Sequence, residues 1–198
     1  RQREKPSFEA VYFEGTDTAS HLFMSYRAPE LTGVKATGFA SFRSVVDRTY
    51  ENADRMLGRL LEGREGWTVI VLSDHGFASD ASRPLTTDSR IGHGAAADWH
   101  RRFGLFVMNG PSVKRGVRLE EASVYDVAPT ILALFHQPVP RSWPGRVLGA
   151  ALTPEWLAPN PVRFIAVDPV RSGRPEAPPD DDRESRELRA KLQSLGYL

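Results

Sequence analysis

No cysteine occurs among the 198 residues. Disulfides and thiolate metal sites are therefore excluded, and any metal must be held by His, Asp, Glu or a hydroxyl oxygen. A cysteine-free chain suits cytosol and periplasm equally, so the compartment stays open. Long hydrophobic runs are also missing: none reaches the roughly 20 residues needed to cross a bilayer. The opening Arg1-Gln2-Arg3-Glu4-Lys5-Pro6 lacks the pattern of a signal peptide and reads as a linker. Nor is there an excess of one charge. Lys plus Arg number 26 against 25 Asp plus Glu, a net of +1, so no field selects nucleic acid or an anionic membrane. What remains is a chain with 40% apolar and 10% aromatic residues, enough for one packed domain and too little for two large ones.

The apolar pattern predicts an α/β order. Phe8 to Phe13 (FEAVYF) has the β-branched and aromatic content of a strand ending at Glu14-Gly15. From Ser41 to Leu61, apolar residues recur at spacings of three and four, which predicts an amphipathic helix stopping near Gly63. Trp67 to Leu72 (WTVIVL) is a short continuous apolar run, as in strands buried on both faces of a parallel sheet. Ser73 to Arg102 is too long and too rich in Gly, Ser, Asp and Arg for a passive connection, and such loops are usually functional. Phe103 to Met108 predicts a third strand. Ser123 to Phe135 predicts a helix whose core starts at Asp126, a capping residue, with Pro129 tolerated in the first turn. Pro138 to Pro144 reads as loop and Val162 to Val167 as an edge strand. The proline-rich, charged stretch from Arg171 to Asp182 predicts a disordered linker to a short helix around Arg183 to Leu195. The expected organisation is thus a linker over 1–7, one domain over 8–170 and a tail over 171–198.

Three segments carry candidate metal ligands. Asp17 and His21, in GTDTASHLFM, are four residues apart, which puts them on one face of a helical turn. The pair could serve one ion, or could be a helix N-terminal Asp beside a surface His. Asp74 and His75, in SDHG, follow the most apolar strand, where α/β proteins place ligands. Burial there would be costly for both side chains unless they bind a metal or each other. Gly76 permits the sharp turn that would aim them. The third segment, Gly92 to Gly104, carries His93 and His100 on the way into the third strand. Three separated segments delivering His and Asp to strand edges point to one rim.

The strings YFEGTDTASHLFM, VIVLSDHGF, ADWHRRFGLFVMNGP, ASVYDVAPTILALF and PGRVL, in this order, resemble the C-terminal half of bacterial type I phosphodiesterase/nucleotide pyrophosphatase proteins. The resemblance spans about Phe8 to Leu148 and extends to the wider alkaline phosphatase superfamily. It implies an alkaline-phosphatase-like three-layer sandwich, a mostly parallel sheet with helices on both faces, its N-terminal strands missing here. It implies two close divalent ions, zinc or manganese. Asp17, His21 and a late histidine would hold the first, and Asp74 and His75 the second. His100 is preferred as the late histidine because its neighbours match more of the bacterial pattern, with His93 as the alternative.

The implied chemistry is hydrolysis of a phosphodiester or nucleotide pyrophosphate through a Ser or Thr phosphoenzyme, with a phosphate-ester small molecule or nucleotide as substrate. The pattern breaks at the start: only sixteen residues precede Asp17, and Ser7 lies in a linker-like context. The nucleophile is therefore expected upstream, and this chain alone is expected to be inactive. Arg83, Arg90, Arg101 and Arg102 read as solvated loop cations, and His136 as a residue favoured by a helix C-terminus. The alternatives are a sulfatase, phosphomonoesterase or phosphoglycerate mutase on the same metal pair, or a non-catalytic module that docks a partner.

Overall fold

Residues 8–13, expected as the first strand, run without regular structure and are mostly exposed, Tyr12 to 81%. Apolar content alone does not make a strand; its backbone N–H and C=O groups need a neighbouring strand to pair with. These coordinates come from a computed structural model, which describes residues 7–81, 83–84, 98–166 and 190. The fold is α/β, and the chain divides into two compact units. The expected tail, including the linker over 171–182 and the terminal helix, lies outside the described residues, apart from Ala190.

One unit comprises the described parts of Arg1–Gly63 and Phe77–Arg101. Helix α1 (Gly15–Phe23) carries Asp17 in its first turn and His21 in its last, the charge order that a helix dipole favours. It runs into a 3₁₀ turn, Met24–Tyr26. The single helix expected from Ser41 is instead two, α2 (Ala36–Phe42) and α3 (Val45–Leu61), separated at Arg43-Ser44. Phe42 explains why the apolar spacing crosses the break: its ring packs on Phe23 and Tyr26, at 5.3 and 5.4 Å. It thus reaches the same helix, α1, that α3 lies against. The core is Met24, Val46, Ala78 and Trp99, with Phe23 and Phe77 packed on it. Strands β2 (Gly76–Phe77) and β3 (His100–Arg101) form a two-stranded sheet. The Ala78 N–H continues the pairing by donating to the Trp99 carbonyl at 2.8 Å.

Arg83 corrects the expectation of a solvated cation. It is 3% exposed. Its Nη2 donates to the carbonyls of Arg27 and Pro29, and its Nη1 to those of Asp80, at 3.1 Å, and Ser79. Burial, and then the nearby Arg27 charge, hold its pKa below the usual arginine value, with Asp80 acting the other way. The side chain clamps a loop that runs past Pro29. Arg83→Ala is expected to cost about 1–3 kcal/mol, because the carbonyls lose their donors. Arg83→Lys should recover only part of that, since a point ammonium cannot fork as a guanidinium does. Chemical denaturation reads both, and an unchanged midpoint for Arg83→Ala would show that the clamp carries no stability.

The second unit comprises the described parts of Arg64–Gly76 and Arg102–Glu187. Here β1 (Val69–Leu72) pairs with β4 (Phe106–Asn109), with Val69 opposite Asn109 and Leu72 opposite Phe106. The pairing is antiparallel, not parallel as its continuous apolar run suggested, and no residue of β1 is fully buried. A short apolar run does not by itself distinguish the two pairings. The third strand also begins three residues later than expected, leaving Phe103 83% exposed. Gly104 explains the delay: a Cβ there would sit 2.5 Å from the Ser73 carbonyl oxygen. Ser73 and Leu105 instead exchange hydrogen bonds through the Ser73 N–H and Oγ, at 2.9 and 2.7 Å.

A 3₁₀ turn (Val124–Asp126) leads into α4 (Val127–Leu134). Asp126 stands at the N-cap of α4 as expected, and Ser123 caps the preceding 3₁₀ turn in a reciprocal capping box with it. Within the stretch read as loop, β5 (Val139–Pro140) pairs parallel with β6 (Phe164–Ile165). Between them lies the short α5 (Pro154–Leu157), capped by Thr153.

Candidate metal centre

Helix α1 and strand β3 bring Asp17, His21 and His100 together. The i, i+4 spacing sets Asp17 Oδ1 3.6 Å from His21 Nε2, and pairing of β3 with β2 delivers His100 Nε2 to 3.0 Å from His21 Nε2. One donor atom from each residue lies within 4.8 Å of the other two. The cluster is sheltered: the His21 side chain is 6% exposed and that of Asp17 23%.

Two imidazole nitrogens at 3.0 Å have two chemical states open to them. In the metal-free state, one ring carries its proton on Nε2 and donates to the lone pair of the other. With a cation between them, both rings carry the proton on Nδ1 and both Nε2 lone pairs face the ion. Around a tetrahedral zinc with Zn–N near 2.0–2.1 Å, ligand atoms stand about 3.3 Å apart. The observed 3.0 and 3.6 Å bracket that spacing, and the third pair of donors lies within 4.8 Å. The donor set of two imidazoles and a carboxylate suits zinc or manganese.

Rings surround the histidines. Phe77 meets His21 edge-on at 4.9 Å and His100 at 5.9 Å, and stacks on Trp99 at 5.8 Å. Neither Phe77 nor Trp99 stood out in the sequence, since two-residue strands carry no readable periodicity. The available signal was adjacency: Phe77 follows SDHG, and Trp99 precedes His100.

Asp74 and His75 follow β1 in the second unit. Asp74 Oδ1 accepts from the His75 N–H at 3.1 Å and lies 3.7 Å from His75 Nε2. The Asp74 side chain is 70% exposed, so the burial cost expected for it does not arise. His75 Nδ1 is 3.0 Å from the Gly76 carbonyl. With the proton on Nδ1 donated there, Nε2 keeps the lone pair that a metal ligand needs.

The profile of the family described as "Type I phosphodiesterase / nucleotide pyrophosphatase" matches residues 1–129. The chain belongs to this family. Among curated relatives, it is 27% identical over 156 residues to a 2,3-bisphosphoglycerate-independent phosphoglycerate mutase of Chromohalobacter salexigens, covering 73% of this chain and 27% of that protein. It is 30% identical over 129 residues to the mutase of the same name from Cereibacter sphaeroides, covering 64% and 23%. For that of Nostoc punctiforme the identity is 29% over 143 residues, covering 66% and 24%. The chain thus spans about a quarter of the length of the curated relatives it matches. No solved structure matches it significantly.

Every candidate ligand falls inside the stretch matched to the type I phosphodiesterase family. His93 and Arg90 lie outside the described residues. Arg101 and Arg102 are exposed, as expected, with Arg101 donating to the Asp98 and His100 carbonyls and Arg102 lying over Phe103. His136 follows the C-terminus of α4, as expected, with φ +55, and stacks on Trp156 at 5.6 Å.

Proposed function

We propose that this chain is the metal-holding part of a phosphoryl-transfer enzyme that cleaves a phosphodiester or nucleotide pyrophosphate bond. The observation that most supports this is the convergence of Asp17, His21 and His100 within 4.8 Å, in a chain of the type I phosphodiesterase family. These three residues would hold one divalent ion, zinc or manganese, and Asp74 with His75 would contribute to a second. Such ions, when bound, supply positive charge that stabilises the attacking and leaving oxygens at phosphorus. The Asp17 carboxylate neutralises part of that charge. His21 and His100, as Nδ1–H tautomers, present lone pairs without adding charge of their own. A Ser or Thr hydroxyl from outside the residues assigned here would be the nucleophile and would carry the phosphoryl group between two displacements.

The domain reading belongs to the same proposal: residues 8–170 contribute to one three-layer sandwich with helices on both faces of a mostly parallel sheet, in which the antiparallel β1–β4 pair is an exception. Residues 1–7 and 171–198 flank it.

Activity is tested with an aryl phosphodiester and with 3-phosphoglycerate, using this chain and any longer product of the same reading frame. Metal-dependent hydrolysis of the diester by the longer product, lost on chelation, is the expected result, with this chain alone inactive. Conversion of 3-phosphoglycerate without diester cleavage would favour the mutase reading suggested by the names of the relatives. Metal binding with neither activity would favour a non-catalytic module. For the ligand set, His100→Ala should weaken zinc binding by more than about 100-fold, beyond the loss typical of outer-shell changes. His93→Ala should leave it nearly unchanged. The reverse pattern in a titration would transfer the ligand role to His93.

A further inference from the structure

We propose that Phe77 is a positioning residue for the metal centre, a rigid wall that fixes the ring orientation of both histidines at once. The proposal rests on the metal-site reading above and adds to it a residue that makes no bond to the ion. Its basis is the ring geometry: the Phe77 ring lies at 4.9 Å and 79° to His21 and at 5.9 Å and 64° to His100. Those two rings come from α1 and β3, elements far apart in sequence. Phe77 thus makes a ring contact with each of them.

The wall is itself held. Trp99, 4% exposed, stacks on Phe77 at 29° between planes, and Phe77 packs on the core of Met24, Val46, Ala78 and Trp99. The Ala78 to Trp99 hydrogen bond, next to Phe77 along the chain, fixes the backbone on which the ring stands. Edge-to-face packing sets the angle between two rings, whereas a flexible aliphatic side chain sets only their distance. An imidazole can bring its Nε2 lone pair to a cation only in a narrow range of χ2, a torsion whose intrinsic preference is broad. The restriction must come from neighbours. Phe77 supplies it for two ligands, and its apolar face also keeps water from the same side of the cluster.

The closing experiment compares Phe77→Leu and Phe77→Met in the full chain, titrating zinc by calorimetry and recording the visible absorption of the cobalt-loaded protein. Both variants keep an apolar side chain of similar volume, a class of change that cores tolerate. Zinc affinity should fall by about 10–100-fold, the range for residues that orient metal ligands, and the cobalt bands should shift or weaken as the ligand field loses its fixed geometry. Circular dichroism confirms that the variants fold, and Phe77→Met stands in if Phe77→Leu does not. Unchanged zinc affinity and cobalt spectrum in a folded variant would overturn the positioning role, and a lowered melting temperature alone would assign Phe77 to the core only. Failure of the metal reading looks different: the unmodified chain would then bind neither zinc nor cobalt, and the Phe77 proposal would fall with it.

Discussion

Replacing His21 with alanine is expected to abolish zinc binding at the cluster, weakening it by well over about 100-fold in a calorimetric titration. Residues that merely orient a ligand cost about 10–100-fold when changed, and His21 is the candidate ligand at the centre of the set. It stands 3.0 Å from His100 Nε2 and 3.6 Å from Asp17 Oδ1. Its removal leaves one imidazole and one carboxylate, too few to hold zinc against water. The same substitution also deletes the contact with Phe77, so the metal-free protein should lose a modest amount of stability while keeping its helices. The rival account, a hydrogen-bonded histidine pair with no metal, makes the opposite forecast. In that case the unmodified chain shows no saturable zinc binding and His21→Ala changes stability alone. His136→Ala is the matched control, because that imidazole stacks on Trp156 in the other unit and should not affect the titration.

Gly145→Ala should be the most damaging single methyl group in the second unit. A Cβ at Gly145 would lie 1.8 Å from the Tyr125 carbonyl oxygen and 2.3 Å from its carbon, and backbone atoms cannot rotate aside. The close approach serves a buried polar network. Arg146 N–H donates to Asp126 Oδ1 at 2.8 Å, Ser123 N–H donates to Oδ2 at 2.9 Å, and Leu148 N–H donates to Thr130 Oγ1 at 2.9 Å. Thr130 Oγ1 in turn donates to the Asp126 carbonyl at 2.7 Å. Asp126 is 4% exposed, so breaking its bonds leaves a carboxylate poorly solvated. The expected cost is about 3 kcal/mol or more, adding overpacking to lost hydrogen bonds. For a chain of this size that lowers the melting temperature by roughly 6–12 °C. A shift of under about 2 °C would mean that the Gly145 segment moves freely and the network is not a stability centre.

What could be read from the sequence follows from how local each signal is. Asp17 and His21 were legible as a pair because helical spacing is a local rule, and α1 obeys it. The helix at Val127–Leu134 was legible for the same reason, with Asp126 at its N-cap as expected, and only the preceding 3₁₀ turn capped by Ser123 escaped notice. Pairing is not local. The direction of β1 depends on β4, more than thirty residues away in sequence, and residues 8–13, apolar enough for a strand, form none. Arg83 was misread because its partners, the carbonyls of Arg27 and Pro29, lie on another segment. Phe77 escaped notice because its role consists of contacts with two histidines that the sequence does not show to be adjacent.

The central claim is that Asp17, His21 and His100 hold a metal ion, and anomalous scattering at the zinc edge from crystals grown with zinc tests it most directly. The expected result is one strong peak about 2.0–2.2 Å from Asp17 Oδ1, His21 Nε2 and His100 Nε2. A map with no peak there, or with the zinc on His93 in place of His100, would contradict it.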